Sequence, residues 1–192
     1  MPVIEPAAAV NDGTGTRIIS KSLGSPAAAS TTAVHAAVTD NGSEQTVSSG
    51  FTDPDVPRCI TATAGGTGAD VKAIQVTVNG TDADGATITE DLPAFTVNTP
   101  GTVTGSKAFA TVTSVVIPAH DGTGATTAIG TSDKLGLGAH LARNTVLAAY
   151  FGGTKEGTAP TVATSATVLS SNTVDLNSAL DGSAVIVDYY QS

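Results

Sequence analysis

Three histidines, one cysteine and a scatter of carboxylates are the side chains in this 192-residue sequence equipped to do chemistry. Their spacing decides what chemistry is open to them. His35, His120 and His140 show neither the i, i+4 spacing of a helical metal motif nor a neighbouring set of thiols. His120-Asp121 falls in a turn and reads as a solvated loop rather than a catalytic pair. Cys59 stands in the strand-like run Arg58-Cys59-Ile60-Thr61, where a lone thiol is a small buried hydrophobe. Gly80-Thr81-Asp82-Ala83-Asp84-Gly85 imitates part of a calcium loop, but its first position is Gly80, its twelfth is Asp91, and a strand pattern follows. It reads as an acidic turn. Gly101-Thr102-Val103-Thr104-Gly105-Ser106-Lys107 is one residue short of a phosphate loop and runs into a strand, so no helix dipole would meet a phosphate. Gly122-Thr123-Gly124 lacks a third glycine and a helix. Glu90 and Asp91 point to opposite sides of a strand, which suits neither glycosidase geometry. No catalytic, cofactor-binding or metal residue is assigned; the expectation is a protein without enzymatic activity or cofactor.

The elements that position these residues are short strands. Hydrophobic residues make up 40% of the chain, charged residues 13% and aromatics 4%, with 21 glycines; small and β-branched side chains favour strands and turns over long helices. Alternating runs predict strands at 33–38, 45–48, 58–64, 71–79, 86–91, 107–117, 126–129, 144–151, 161–169 and 184–190. Within the fourth, Ile74, Val76 and Val78 share one face. Asn79-Gly80 and Asp84-Gly85 predict a hairpin to the fifth. The run 107–117 is expected to be one strand buried on both faces, with Val112 and Val116 on one side and Phe109 and Val115 on the other. Residues 177–182 could form one helical turn closed by Gly182. Gly-Thr phrases recur at 12–15, 66–68 and 121–124, but their flanks do not match.

Residues 1–32 mix Pro2, Pro6 and Pro26 with glycines and short alanine runs, so few large side chains are there to offset ordering entropy. They read as an extended arm whose one adhesive piece, Arg17 to Leu23, is either a short strand or an anchor ordered on a neighbouring subunit. The fold class is therefore all-β: a β-sandwich or barrel-like domain of short antiparallel strands over 33–192, with room for a subdivision near 138–144, preceded by an extended N-terminal arm over 1–32.

The formal net charge of −9 would repel a phosphate backbone, so nucleic acid is not an expected partner. Cys59 cannot close an intramolecular disulfide, which fits the cytosol or a particle assembled there. Met1 to Pro6 lacks the basic and apolar regions of a secretion signal. No apolar run approaches the length of a membrane span, so no membrane is expected either.

The stretch from Pro57 to Leu137 resembles tailed-bacteriophage virion structural proteins of the β-rich capsid decoration, or cement, type. The resemblance is carried by Pro57-Arg58-Cys59-Ile60-Thr61-Ala62-Thr63, Val76 to Gly85, Ile88-Thr89-Glu90, Gly105 to Phe109, Val112 to Val115 and Gly130 to Leu137, with a weaker echo in Asn172 to Asn177. It implies a β-rich subunit without enzymatic activity, located on the capsid surface of the virion and assembled in the host cytoplasm. Its partners would be the major capsid protein and copies of itself, as a trimer. Arg17, Ile18, Ile19 and Leu23 in the arm, and Tyr150, Phe151, Tyr189 and Tyr190, are the expected assembly contacts. The alternatives are a tail, neck or head-to-tail connector component and, on another footing, a carbohydrate-binding β-sandwich module, which the absence of Trp disfavours.

Overall fold

The computed structural model describes residues 17–191; the first two prolines, Ala7 to Ala9 and the Gly-Thr phrase at 12–15 lie outside them. The chain is all-β. Among the described residues fourteen strands are joined by turns and two short 3-10 segments, and all their pairings are antiparallel. They are β1 (Arg17–Gly24), β2 (Ser30–Thr39), β3 (Gln45–Val47), β4 (Arg58–Gly66), β5 (Thr77–Thr81), β6 (Thr87–Asp91), β7 (Gly101–Phe109), β8 (Thr111–Ile117), β9 (Ala125–Gly136), β10 (Val146–Phe151), β11 (Thr154–Lys155), β12 (Thr161–Ala163), β13 (Thr173–Asp175) and β14 (Val185–Gln191). Three sheets result: β1-β14-β10-β11; β12-β13-β9-β4-β7, with β2 also on β9; and β3-β8-β5-β6.

Two apolar clusters lie between them. The first joins Ile60, Ala62, Ala64 and Ile129 to Val78, Val112, Val115 and Ile117, closed by Val71, Ile74, Val76, Leu92, Phe95 and Phe109. The second packs Leu23, Ala149, Val185, Val187 and Tyr189 against Leu135, Leu137, Leu141, Val174, Leu176 and Leu180. The long strand β9 serves both, with Ile129 in one and Leu135 in the other.

Several expectations need correction. The short-strand reading of Arg17 to Leu23 holds, as β1, but residues 17–32 are not a free arm. β1 pairs along its length with β14, from Arg17 opposite Gln191 to Gly24 opposite Val185, and Leu23 is buried in the second cluster. Pro26 is buried too, because the connection from β1 to β2 is tied down by Arg58 and Asp55. The single strand over 107–117 is two strands in different sheets, cornered at Ala110, whose N–H donates to the Thr81 carbonyl at 2.8 Å. Nor does its parity hold. A bulge sets Asn79 opposite Ser114 but Gly80 opposite Val112, so Val112, Val115 and Ile117 all turn inward while Val116 is only half-buried.

The ladder of the fourth expected strand begins only at Thr77, although Ile74, Val76 and Val78 do share the buried face. Its hairpin turns at Asp84-Gly85, with Gly85 at φ +80°; Asn79-Gly80 is inside β5. The expected strand at 161–169 is reduced to 161–163, and 177–182 is not helical.

Candidate assembly face

The residues that attract chemical suspicion are occupied in holding the fold. The Glu90 carboxylate is buried, with Oε1 accepting from the Ser106 N–H (2.6 Å) and hydroxyl (2.7 Å) and Oε2 from the Lys107 N–H (3.2 Å). The glycine-bearing segment read as a near miss to a phosphate loop is strand β7. Asp82 Oδ1 accepts from the N–H groups of Asp84 and Ala86, both at 3.0 Å, which makes the calcium-like segment a side-chain-braced turn. Cys59 is fully buried, and burial followed by the charge of Glu90 pushes its thiol up to about 12. It is no nucleophile at neutral pH.

His120 is not in a solvated loop. It is 6% exposed and stacks on Phe95 with ring centroids 5.9 Å apart. Its Nδ1 accepts from the Lys72 N–H at 3.2 Å, which leaves Nε2 to donate to Thr127 Oγ1 at 3.0 Å. Its own N–H donates to Asp40 Oδ2 at 2.8 Å. Burial lowers its pKa, against the opposing charges of Asp40 and Asp121. Beside it the two Gly-Thr-Gly phrases meet: Thr67 N–H donates to the Gly124 carbonyl (2.8 Å) and Gly124 N–H to Asp70 Oδ2 (3.0 Å). Gly66, at φ +77°, is required there, because a β-carbon on it would overlap the Gly124 carbonyl.

The side chain that sequence reasoning passed over is Arg58, 1% exposed. Its Nε donates to the Ser132 carbonyl (2.7 Å) and one terminal nitrogen to the Ala27 carbonyl (3.0 Å) and Asp55 Oδ1 (3.1 Å); the other lies 3.7 Å from Asp133 Oδ1. Burial pushes the Asp55 carboxyl up, but the Ala27 N–H and the guanidinium outweigh it and hold that carboxyl below its usual range. Arg58 is a staple between β4, β9 and the β1–β2 connection.

What remains is a surface. All eight expected assembly contacts belong to one sheet, β1-β14-β10-β11, although they come from opposite ends of the sequence. Residues directly opposite in an antiparallel pair share a face. Ile18 is opposite Tyr190, Ser20 opposite Asp188, and Tyr150 opposite Ile186. These make the outer face, where Ile18 is 54% and Ile186 38% exposed, Tyr150 and Tyr190 are half-exposed, and Ser20 Oγ donates to Asp188 Oδ1 at 2.5 Å. A bulge between Val146 and Ala148 ejects Leu147, 47% exposed, beside a pocket of about 250 Å³ lined by Asn144, Lys155, Pro160 and Val162. The inner face carries Ile19, Leu23, Ala149, Phe151, Val187 and Tyr189 into the second cluster. Leu23 and Tyr189, at 7% and 3% exposure, are therefore core residues rather than free contacts, and Ile19 and Phe151 pack against that core. Ile18, Tyr150 and Tyr190 stay on the surface, joined by Ile186 and Leu147, which sequence reasoning did not single out. Arg17 begins the sheet, exposed. Alternation in 184–190 was the signal for Ile186; nothing local marked the bulge at Leu147.

No family model matches the chain, and neither a curated protein nor a solved structure matches it.

Proposed function

We propose that this chain is a structural subunit of a phage virion, a decoration protein that sits on the expanded capsid and bridges major capsid subunits alongside other copies of itself. The observation that carries the reading is the outer face of β1-β14-β10, where Ile18 with Tyr190 and Ile186 with Tyr150 flank the Ser20–Asp188 pair and Leu147 is exposed at the bulge, on a chain that is otherwise rich in small polar residues. Aliphatic and tyrosine side chains held on a sheet can bury area against a neighbour at little entropic cost, since their backbones are already fixed. The sequence resemblance over 57–137 supports the same reading. Those residues supply β4, β7 and β9 of the six-stranded sheet and β5, β6 and β8 of one four-stranded sheet, and leave β1-β14-β10-β11 as a separate face for contact.

On a capsid, each copy would add its own interface, so that expansion or internal pressure must break many modest contacts at once. The test is to add the purified chain to expanded heads of the phage that encodes it and follow their melting. A raised melting temperature with wild type, and none with Leu147→Lys, is the expected result. An unchanged melting temperature with wild type overturns the reading. Counting copies per virion tells a surface decoration from a tail or neck part, which would be present in few copies or in multiples of six along a tube.

A further inference from the structure

We infer that β1 is a self-pairing edge, joining two copies of this chain through antiparallel β1–β1′ hydrogen bonds into one continuous sheet. A sheet edge exposes a row of unpaired N–H and C=O groups, and folded chains blunt such edges by shortness, bulges, prolines or covering groups. The other edges here are blunted. β3, β11 and β12 are three residues or fewer. β6 has Lys107 Nζ donating to its Thr89 carbonyl at 2.6 Å, and β7 has Glu90 on the N–H groups of Ser106 and Lys107. β2 is broken by two register shifts and gives its Val34 carbonyl to the Thr52 N–H. β1 is different. It is eight residues long with no proline, its register against β14 is regular from Arg17 to Ser22, and among the described residues no backbone hydrogen bond reaches its far side.

A second copy fits that edge. Lys21 Nζ is drawn under the sheet to the Gly138 carbonyl at 2.8 Å, leaving Arg17 as the cation exposed on the strand. With a two-fold axis at Ser20, Ile18 lies opposite Ser22′ and Arg17 opposite Leu23′, so the two Arg17 side chains stand about 20 Å apart along the strands. The two copies of Asp188 are then separated by three strand spacings, about 14 Å, beyond the ~8 Å screening length at physiological salt. The pairing therefore opposes no like charges, even though the chain carries a net charge of −9. It also joins the two outer faces into one surface. The contact is isologous and closes on itself. It does not depend on the virion reading.

The test uses the full chain at about 100 μM, a concentration suited to a small interface, in sedimentation equilibrium paired with amide exchange. Wild type should be a dimer, with alternate β1 amides protected in proportion to the dimer fraction. Ser20→Lys sets two ammonium groups face to face across the axis, while its exposed position next to Asp188 preserves the fold; it should be a monomer that unfolds cooperatively with the midpoint of wild type diluted until it too is monomeric. Leu147→Lys, in the same sheet but away from the edge, should stay a dimer. Three results would each overturn the inference: a monomeric wild type, including one whose β1 amides are protected by the chain's own residues 1–16; a dimer that Ser20→Lys leaves intact; and a dimer lost only in Leu147→Lys.

Discussion

At the scale of single residues, the buried polar groups carry the consequences. The His120 ring makes two hydrogen bonds, one accepted and one donated, and burial, against the charges of Asp40 and Asp121, holds its folded pKa below the ordinary 6.5. The unfolded chain therefore binds a proton at higher pH than the folded one. The stabilisation is fully present above pH 6.5 and is lost as pH falls from there through the lowered folded value. Urea midpoints of wild type should drop between about pH 7.5 and pH 5.5, whereas His120→Asn, less stable at neutral pH, should show a smaller drop; parallel pH profiles would refute this. Arg58 makes the opposite point, a permanent charge kept inside by three hydrogen-bonded acceptors. Arg58→Ala leaves the Ser132 and Ala27 carbonyls without their donor and opens a cavity, so a loss of about 3 kcal/mol is expected in denaturant unfolding. A loss under about 1 kcal/mol would mean the staple is idle.

At the scale of elements, the bulge between β5 and β8 decides which residues reach the first cluster. Gly80 sits at that shift, where a β-carbon would overlap the Thr111 carbonyl. Gly80→Ala should therefore cost more than the usual strand glycine replacement, about 2 kcal/mol or more, and show as loosened exchange at β8 amides; a neutral or stabilising effect would contradict the assigned register. This is also where the sequence stops being readable. Alternation located most strands and put Ile74, Val76 and Val78 on one face, because a side chain's face follows from period two alone. Asp84-Gly85 announced its own turn. The bulge had no local signature, since Thr113 is as good a strand residue in register as out of it, and so the parity of Val115 and Val116 came out reversed. The strand at Arg17 to Leu23 was legible but its place in a sheet was not, because its partner β14 lies at the far end of the chain and composition cannot reveal a pairing across that distance. For the same reason the eight expected contact residues were legible as side chains but not as one surface, and the two that turned into the core, Leu23 and Tyr189, were told apart only by the sheet that faces them.

At the scale of the molecule, two apolar clusters raise the question of whether they melt as one. The argument for one unit is β9, twelve residues that pair with β2, β4 and β13 and place Ile129 in the first cluster and Leu135 in the second, both essentially without solvent contact. Arg58, which reaches from β4 to Ser132 on the same strand, binds the halves again between those two positions. If the second cluster opened alone, β9 would have to fray from Leu135 back toward Ser132 and release that hydrogen bond, one of the three that hold the buried guanidinium. Ile129→Ala and Leu135→Ala should therefore each lower one shared unfolding transition by about 2–5 kcal/mol, the range for large-to-small changes at fully buried sites. Tyr189, buried in the second cluster, gives a fluorescence signal for that half, while far-ultraviolet circular dichroism follows all three sheets. Coincident midpoints from the two signals in both variants are the expected outcome. If Leu135→Ala instead shifted the tyrosine signal ahead of the dichroism, the sheet β1-β14-β10-β11 would be an independent unit, able to open while the first cluster stays folded.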